Sequence, residues 1–352
     1  SYIPNSVTSI GNRTFQNCSG LTSIEIPSSV TSIESYAFFG CYRITSIEIP
    51  SSVTSIESYA FSGCSSLTSI EIPNSVPNIG GGAFSDTPWY NNKPDGVVYA
   101  GKVVYKYKGE MPSGTIIALE EGTKSICELA FSGCSGLTSI EIPNTVTSIG
   151  SYAFSGCSGL TSIEIPNSVT SIEPFTFSSC SVLTSVEIPN SVTSIGQSAF
   201  DGCEGLHDIE IPSSVMEIEG RAFGACTSLS DLKFRDGTAS LVIIDGGYSS
   251  DVFYGCPITS IYLGRNIINK GYIYSALGSI PTPFNLTISK YVTELKGGTF
   301  AQCKKILSIT FEEGADTLTL IKERNTTNSI MPFAESSIDS VYLGRVIVGK
   351  DS

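Results

Sequence analysis

The sequence predicts an α/β repeat fold: a right-handed solenoid whose short strands stack in parallel on a concave face, interrupted by one short β-hairpin island. Three observations carry this. Phenylalanine recurs at a fixed interval, with Phe15, Phe38, Phe61 and Phe84 each 23 residues apart, and Phe131, Phe154, Phe177, Phe200 and Phe223 likewise. Each interval repeats one apolar alternation that ends in proline. Cysteine follows most of these aromatics by three residues. A unit this short cannot bury its own apolar face, so successive copies must stack and share one core.

The unit beginning at Leu21 shows the logic. Leu21, Ile24 and Ile26 face the core, Ser23 and Glu25 face outward, and Pro27, which lacks an N–H, ends the strand. Val30 and Ile33 form a second inward pair. Ala37-Phe38 turns a corner on a buried aromatic, and Cys41 closes the unit before Ile44 opens the next. Applied along the chain, this pattern places strands near Leu21, Ile44, Leu67, Gly114, Leu137, Leu160, Leu183, Leu206, Leu229, Ile258, Phe284, Ile306 and Ile338. Ser29, Ser52, Ser75, Ser168, Ser191 and Ser214 follow the proline, where a hydroxyl can bond backbone of the neighbouring coil.

The period breaks twice. Between Phe84 and Phe131 lie 47 residues, and after Phe223 the aromatics Phe253, Phe300 and Phe333 follow at 30, 47 and 33. The expected organisation is therefore one solenoid over 1–352, a hairpin island over 85–113 and irregular, longer repeats of the same solenoid over 231–352. In the island, Ala100-Gly101-Lys102 separates two β-rich runs and reads as a hairpin turn. It carries Trp89 and Tyr90, which either pack under the hairpin or protrude for recognition.

These residues resemble the BspA-type leucine-rich repeat of bacterial surface proteins, most closely from Leu137-Thr138-Ser139-Ile140-Glu141-Ile142-Pro143 to Ala153-Phe154 and Cys157. The resemblance covers nearly the whole chain. It implies a secreted or cell-surface location, with any signal peptide outside this chain, and a role in adhesion to host or matrix protein or to glycan.

Charge and composition narrow the function classes. The formal net charge of −13 disfavours nucleic acid and anionic membranes. No apolar run approaches the roughly 20 residues that span a bilayer, so membrane insertion is not expected. The chain has one histidine, His207, and neither a GxSxG signature nor a glycine-rich phosphate loop. The sequence therefore reads as a non-catalytic monomer without cofactor or metal. Ten of its eleven cysteines form the column Cys18, Cys41, Cys64, Cys134, Cys157, Cys180, Cys203, Cys226, Cys256 and Cys303, and Cys127 stands outside it. No CxxC pair suggests zinc. Stacked equivalent side chains point the same way, which suits small buried thiols and not disulfides.

Candidate binding residues lie on the outward positions of the strands. Glu25, Glu48, Glu71, Glu141, Glu164, Glu187 and Glu210 form an acidic row, readable as a solvated face, a groove for a basic partner or weak calcium sites. Toward the C-terminus Lys233, Tyr262, Thr310 and Tyr342 take the Glu position, and Arg265 and Arg345 follow in matching Tyr-Leu-Gly-Arg segments. Tyr and Arg are enriched in binding hot spots. A second repeat subtype that binds nothing, in a protein serving as a structural spacer, explains the same residues.

Overall fold

The computed structural model describes every residue except 1, 246–250, 272–276, 278–279, 302, 304, 315, 325–328, 335 and 352. By contacts the chain forms two compact units: residues 1–111, 119–132 and 145–153 in the first, and 112–118, 133–144 and 154–352 in the second.

Both are built from one kind of coil. In the second unit, Leu160, Ile163 and Ile165 are buried while Thr161, Ser162 and Glu164 are exposed, as the alternation demands. Pro166 ends the strand, and its carbonyl accepts the Val169 N–H at 3.0 Å in a tight turn. Ser171–Ile172 then forms a second, shorter strand. Phe177 and Cys180 close the coil, both fully buried.

Three columns of backbone hydrogen bonds stack the coils. The first is the expected parallel ladder. In the second unit it is most continuous where six strands run in order from Asp208–Ile211 through Asp231–Phe234, Ser260–Leu263, Phe284–Ile288 and Ile306–Phe311 to Val341–Leu343. The predicted strand positions are occupied throughout, except that the one from Leu21 reduces to a bridge between Tyr2 and Glu25. The second column joins the short return strands, such as Ser171–Ile172 to Ser194–Ile195. It lies where the sequence showed only an inward Val/Ile pair. The third runs along the corner, where the Phe177 N–H reaches the Ala199 carbonyl at 2.8 Å. Helix is confined, among the described residues, to Pro88–Asn91, with Pro at its start and Thr87 capping it through the Tyr90 N–H. The return side is thus turn, not helix: repeated backbone bonds to the next coil satisfy groups that a helix would have satisfied internally.

Aromatic stacking fills the corner. Phe15, Phe38, Phe61 and Phe84 stack at 5.1–5.8 Å in the first unit, as Phe154, Phe177, Phe200, Phe223 and Phe253 do at 5.2–5.6 Å in the second.

The hairpin pairs Gly96–Ala100 with Val103–Lys108 around Gly101, whose φ of 62° favours glycine. Its inner strand is woven into the first unit: Val103 and Val104 pair in parallel with Ser125 and Ile126, taking a place in the return ladder. The Tyr105 hydroxyl accepts the Phe84 N–H at 3.0 Å, standing in for the backbone carbonyl that serves this role in a regular coil.

Candidate functional site

The cysteine column does more than fill a corner. Most of these thiols donate to the carbonyl of the phenylalanine one coil earlier: Cys41 to Phe15 at 2.9 Å and Cys64 to Phe38 at 3.2 Å in the first unit, Cys180 to Phe154 at 3.2 Å and Cys256 to Phe223 at 2.9 Å in the second. Cys127, off the repeat in sequence, performs the same act on the Ile79 carbonyl at 2.9 Å. None of the eleven cysteines forms a disulfide. Burial pushes the Cys64, Cys180 and Cys303 thiols up to about 12, so they stay protonated and unreactive at neutral pH. Among the serines after the proline, Ser29, Ser52 and Ser191 donate to the Val7, Val30 and Val169 carbonyls at 2.6–2.7 Å, whereas the buried Ser214 hydroxyl finds no such partner.

Among the acidic residues, Glu141, Glu164 and Glu187 are exposed, and Glu164 sits in register beside Glu187. Glu210 differs. Its Oε1 takes both Arg235 Nε and, at 3.4 Å, Lys233 Nζ. The Arg235 hydrogen bond holds the Glu210 carboxyl below the usual carboxylate range. Glu210 is therefore an internal ion-pair partner and not a free acidic contact like the rest of its row. Among the described residues no three His, Cys, Asp or Glu gather as a metal site. His207 is exposed, and its ring has no hydrogen-bond partner among the described residues. Nothing there resembles a catalytic dyad.

From Lys233 onward the outward row changes chemistry. Register places Glu210 beside Lys233, Lys233 beside Tyr262, Tyr262 beside Thr287, Thr287 beside Thr310, and Thr310 beside Tyr342. Tyr262 and Tyr342 thus share one row. An open cleft of about 670 Å³ lies at the start of this row, lined by Asn190, Glu210, Ser213, Lys233, Arg235, Asp236 and Tyr262. The Tyr262 hydroxyl donates to Asp236 Oδ1 at 2.9 Å, and Ser289 donates to the same oxygen at 2.7 Å. Burial, with the Asp236 carboxylate adding to it, pushes the Tyr262 phenol up to about 12. Lys233 Nζ lies 6.0 Å above the Tyr262 ring, and Arg235 also reaches Asn190 at 3.2 Å.

Arg265 and Arg345, expected as binding residues, are structural. Arg265 is 0% exposed, and its two terminal nitrogens donate to the Ser213 and Pro212 carbonyls, both at 2.9 Å, two coils back. Arg345 is 9% exposed and repeats the act on the Lys290 and Ser289 carbonyls at 2.9 and 3.0 Å. Each passes a glycine on the way, Gly237 or Gly314, where a Cβ would stand 3.7 or 3.9 Å from the arginine Cδ. Burial without a carboxylate partner lowers Arg265 to about 10. The guanidinium is a staple beneath the cleft: the Ser213 it holds is a lining residue.

Trp89 and Tyr90 also turn inward. Trp89 lies 4.8 Å from Phe84 with Lys93 Nζ 4.8 Å over its ring, and Tyr90 meets Tyr105 edge-on at 5.5 Å. Both are half-buried and pack under the hairpin through these contacts. The cleft residues Asn190, Arg235, Asp236 and Ser213 were not legible as a site. The available signal was Phe234-Arg235-Asp236-Gly237 standing where other units carry Ile-Pro-Ser-Ser or Ile-Pro-Asn-Ser.

Residues 1–93, 104–230 and 206–324 match the BspA type leucine rich repeat region, in six copies. Comparison with curated proteins gave no match. Solved structures similar to this chain include a leucine-rich repeat protein from Bacteroides ovatus, at 24% identity over 100% of this chain and 82% of that one, with a TM-score of 0.49. A leucine rich cell surface protein from Faecalibacterium prausnitzii shares 27% identity over 88% of this chain and 84% of that one, with a TM-score of 0.33. Since the family match spans well over half of the sequence, the chain belongs to the BspA-type leucine-rich-repeat family.

Proposed function

We propose that this chain is a non-catalytic binding protein, secreted or held at a bacterial cell surface, that recognises a host or matrix partner through the outward row from Lys233 to Tyr342. The observation that carries this reading is the change along that row. A repetitive acidic surface gives way to an asymmetric cleft and two tyrosines, on coils whose backbone pairing is otherwise the same. Specific recognition requires an asymmetric, preorganised constellation on a rigid scaffold, and the arginine staple supplies the rigidity. Family membership accords with an exterior location.

The test is a binding screen against matrix proteins and glycans, repeated with Tyr262→Ala and Tyr342→Ala. Saturable binding weakened by either substitution is the expected result; binding unchanged by both rejects this surface. The alternative, a spacer with no ligand, draws on one observation: the cleft charges are satisfied by one another. It predicts no saturable binding at all.

A further inference from the structure

The row that holds Tyr262 and Tyr342 has a neighbour of matching character. Beside Tyr262, Thr287, Thr310 and Tyr342 run Ser260, Asn285 and Ser308, in register with one another. None of these side chains carries a charge, although the corresponding positions of earlier coils hold Glu164, Glu187, Asp208, Glu210 and Asp231. The field is lined with hydroxyl and amide groups, each able to donate and accept. Ser308 already donates to Asn285 Oδ1 at 2.7 Å, which fixes the amide with its NH2 group directed elsewhere. Most charges at the borders are spent internally: Glu210 on Lys233 and Arg235, Asp236 on Tyr262 and Ser289, and Lys305 on Asp339 at 3.2 Å, while the exposed Asp231 carboxylate beside Ser260 accepts, among the described residues, only from the Ser230 hydroxyl at 2.7 Å.

Two tyrosines bracket this field, separated by three strand spacings or roughly 14 Å. They offer different things. Tyr262 has Lys233 over its ring and its hydroxyl on Asp236, so it presents an edge. Tyr342 is 62% exposed and presents its ring.

Resting on the reading of this row as the recognition surface, we propose that its ligand is a neutral glycan lying across the strands between Tyr262 and Tyr342. A sugar chain offers what the surface can take: many hydroxyl groups that both donate and accept, apolar C–H faces for the Tyr342 ring, and no formal charge. A charged partner gains little from a field whose own side chains are uncharged, and the net charge of −13 repels an anionic one. A protein partner is disfavoured across the middle of the field, because such interfaces have an apolar core and the exposed apolar side chains, Val341 and Leu343, lie only on the Tyr342 strand.

The experiment is titration of the full chain with a panel of neutral and acidic oligosaccharides and with matrix proteins, at low salt and at about 1 M salt. Binding of a neutral oligosaccharide, changed little by salt, is expected. Tyr342→Ala is expected to weaken it about tenfold or more, a hot-spot-sized loss. The paired Thr287→Val and Thr310→Val substitutions, which keep the branched shape and remove hydroxyls, should weaken it too, whereas Glu164→Gln should leave it unchanged. Thermal melts of each variant separate lost binding from lost fold. Binding confined to acidic glycans with steep salt dependence overturns the proposal, as does neutral-glycan binding indifferent to Tyr342→Ala and to the threonine pair. A protein ligand lost on Tyr342→Ala, with no glycan bound, overturns the glycan assignment but leaves the recognition surface standing. No saturable binding of any kind overturns both.

Discussion

Within the second unit, the coils from Phe154 to Ile211 and those from Asp231 to Leu343 share a backbone ladder but not a fastening. In the first group the strand ends at a proline, and a serine hydroxyl bonds a carbonyl one coil back, as Ser191 does to Val169 at 2.6 Å. In the second group the proline is gone, the connections are longer, and an arginine reaches two coils back across a glycine. A short turn with a short side chain permits only identical neighbours. A longer loop frees its outward residues but needs a longer fastener. The difference teaches that departure from the repeat is supported by specific structure, which is why the cleft sits directly on a staple.

The largest expected effect tests what the two groups share. Phe200 is stacked between Phe177 and Phe223 at 5.3 and 5.2 Å. Phe200→Ala should destabilise the second unit by about 3–5 kcal/mol, read from a urea midpoint. A much smaller loss would mean that the ladders alone hold the coils. Next, Arg265→Met removes the staple and the buried charge together. Two carbonyls lose their donors while the desolvation cost of the guanidinium disappears, so a loss of about 2 kcal/mol is expected. Arg265→Lys should fail to rescue it, because an ammonium lacks the planar fork that spans two carbonyls. An unchanged midpoint in both variants would sink the staple.

Alkaline pH sharpens the comparison through the thiols. The folded pKa values of Cys64, Cys180 and Cys303 are raised to about 12, against about 8.5 for a free thiol. The folded chain then keeps protons that the unfolded chain releases. The stabilisation is fully present below about pH 8.5 and is lost as pH rises toward the folded values. Denaturation midpoints taken at pH 7.5, 9 and 10 should fall in that order, and Cys180→Ala should lessen the slope. The smallest effects belong to single fasteners and turns. Ser191→Ala should cost about 1 kcal/mol. Ala225→Gly, at a φ of 52°, should stabilise by up to about 1 kcal/mol, as relief of the left-handed strain outweighs the added chain entropy.

Much of this architecture was legible from residue order. The positions of the parallel ladder, the buried Phe and Cys columns and the serine-to-carbonyl bonds of Ser29, Ser52 and Ser191 follow from side chains that recur with the unit, and the hairpin was legible from a turn between two β-rich runs, although the packing of Trp89 beneath it was not. The binding surface was legible only in part. Tyr262 and Tyr342 stood out because they replace Glu, but Arg265 and Arg345, which stood out in the matching Tyr-Leu-Gly-Arg segments, proved to be buried. An arginine near a strand end reads alike whether its guanidinium faces water or a carbonyl two coils away.

What the sequence by itself determined is therefore the coil. A period of 23 with apolar residues at fixed offsets has one way to bury its apolar face, by stacking copies in register. What only the tertiary structure decided is where residues more than one period apart come together. Asp236 meets Ser289, and Arg265 meets Pro212, at separations of 53 residues. Loop length sets such meetings, and once the repeat becomes irregular after Phe223 its periodicity no longer encodes them.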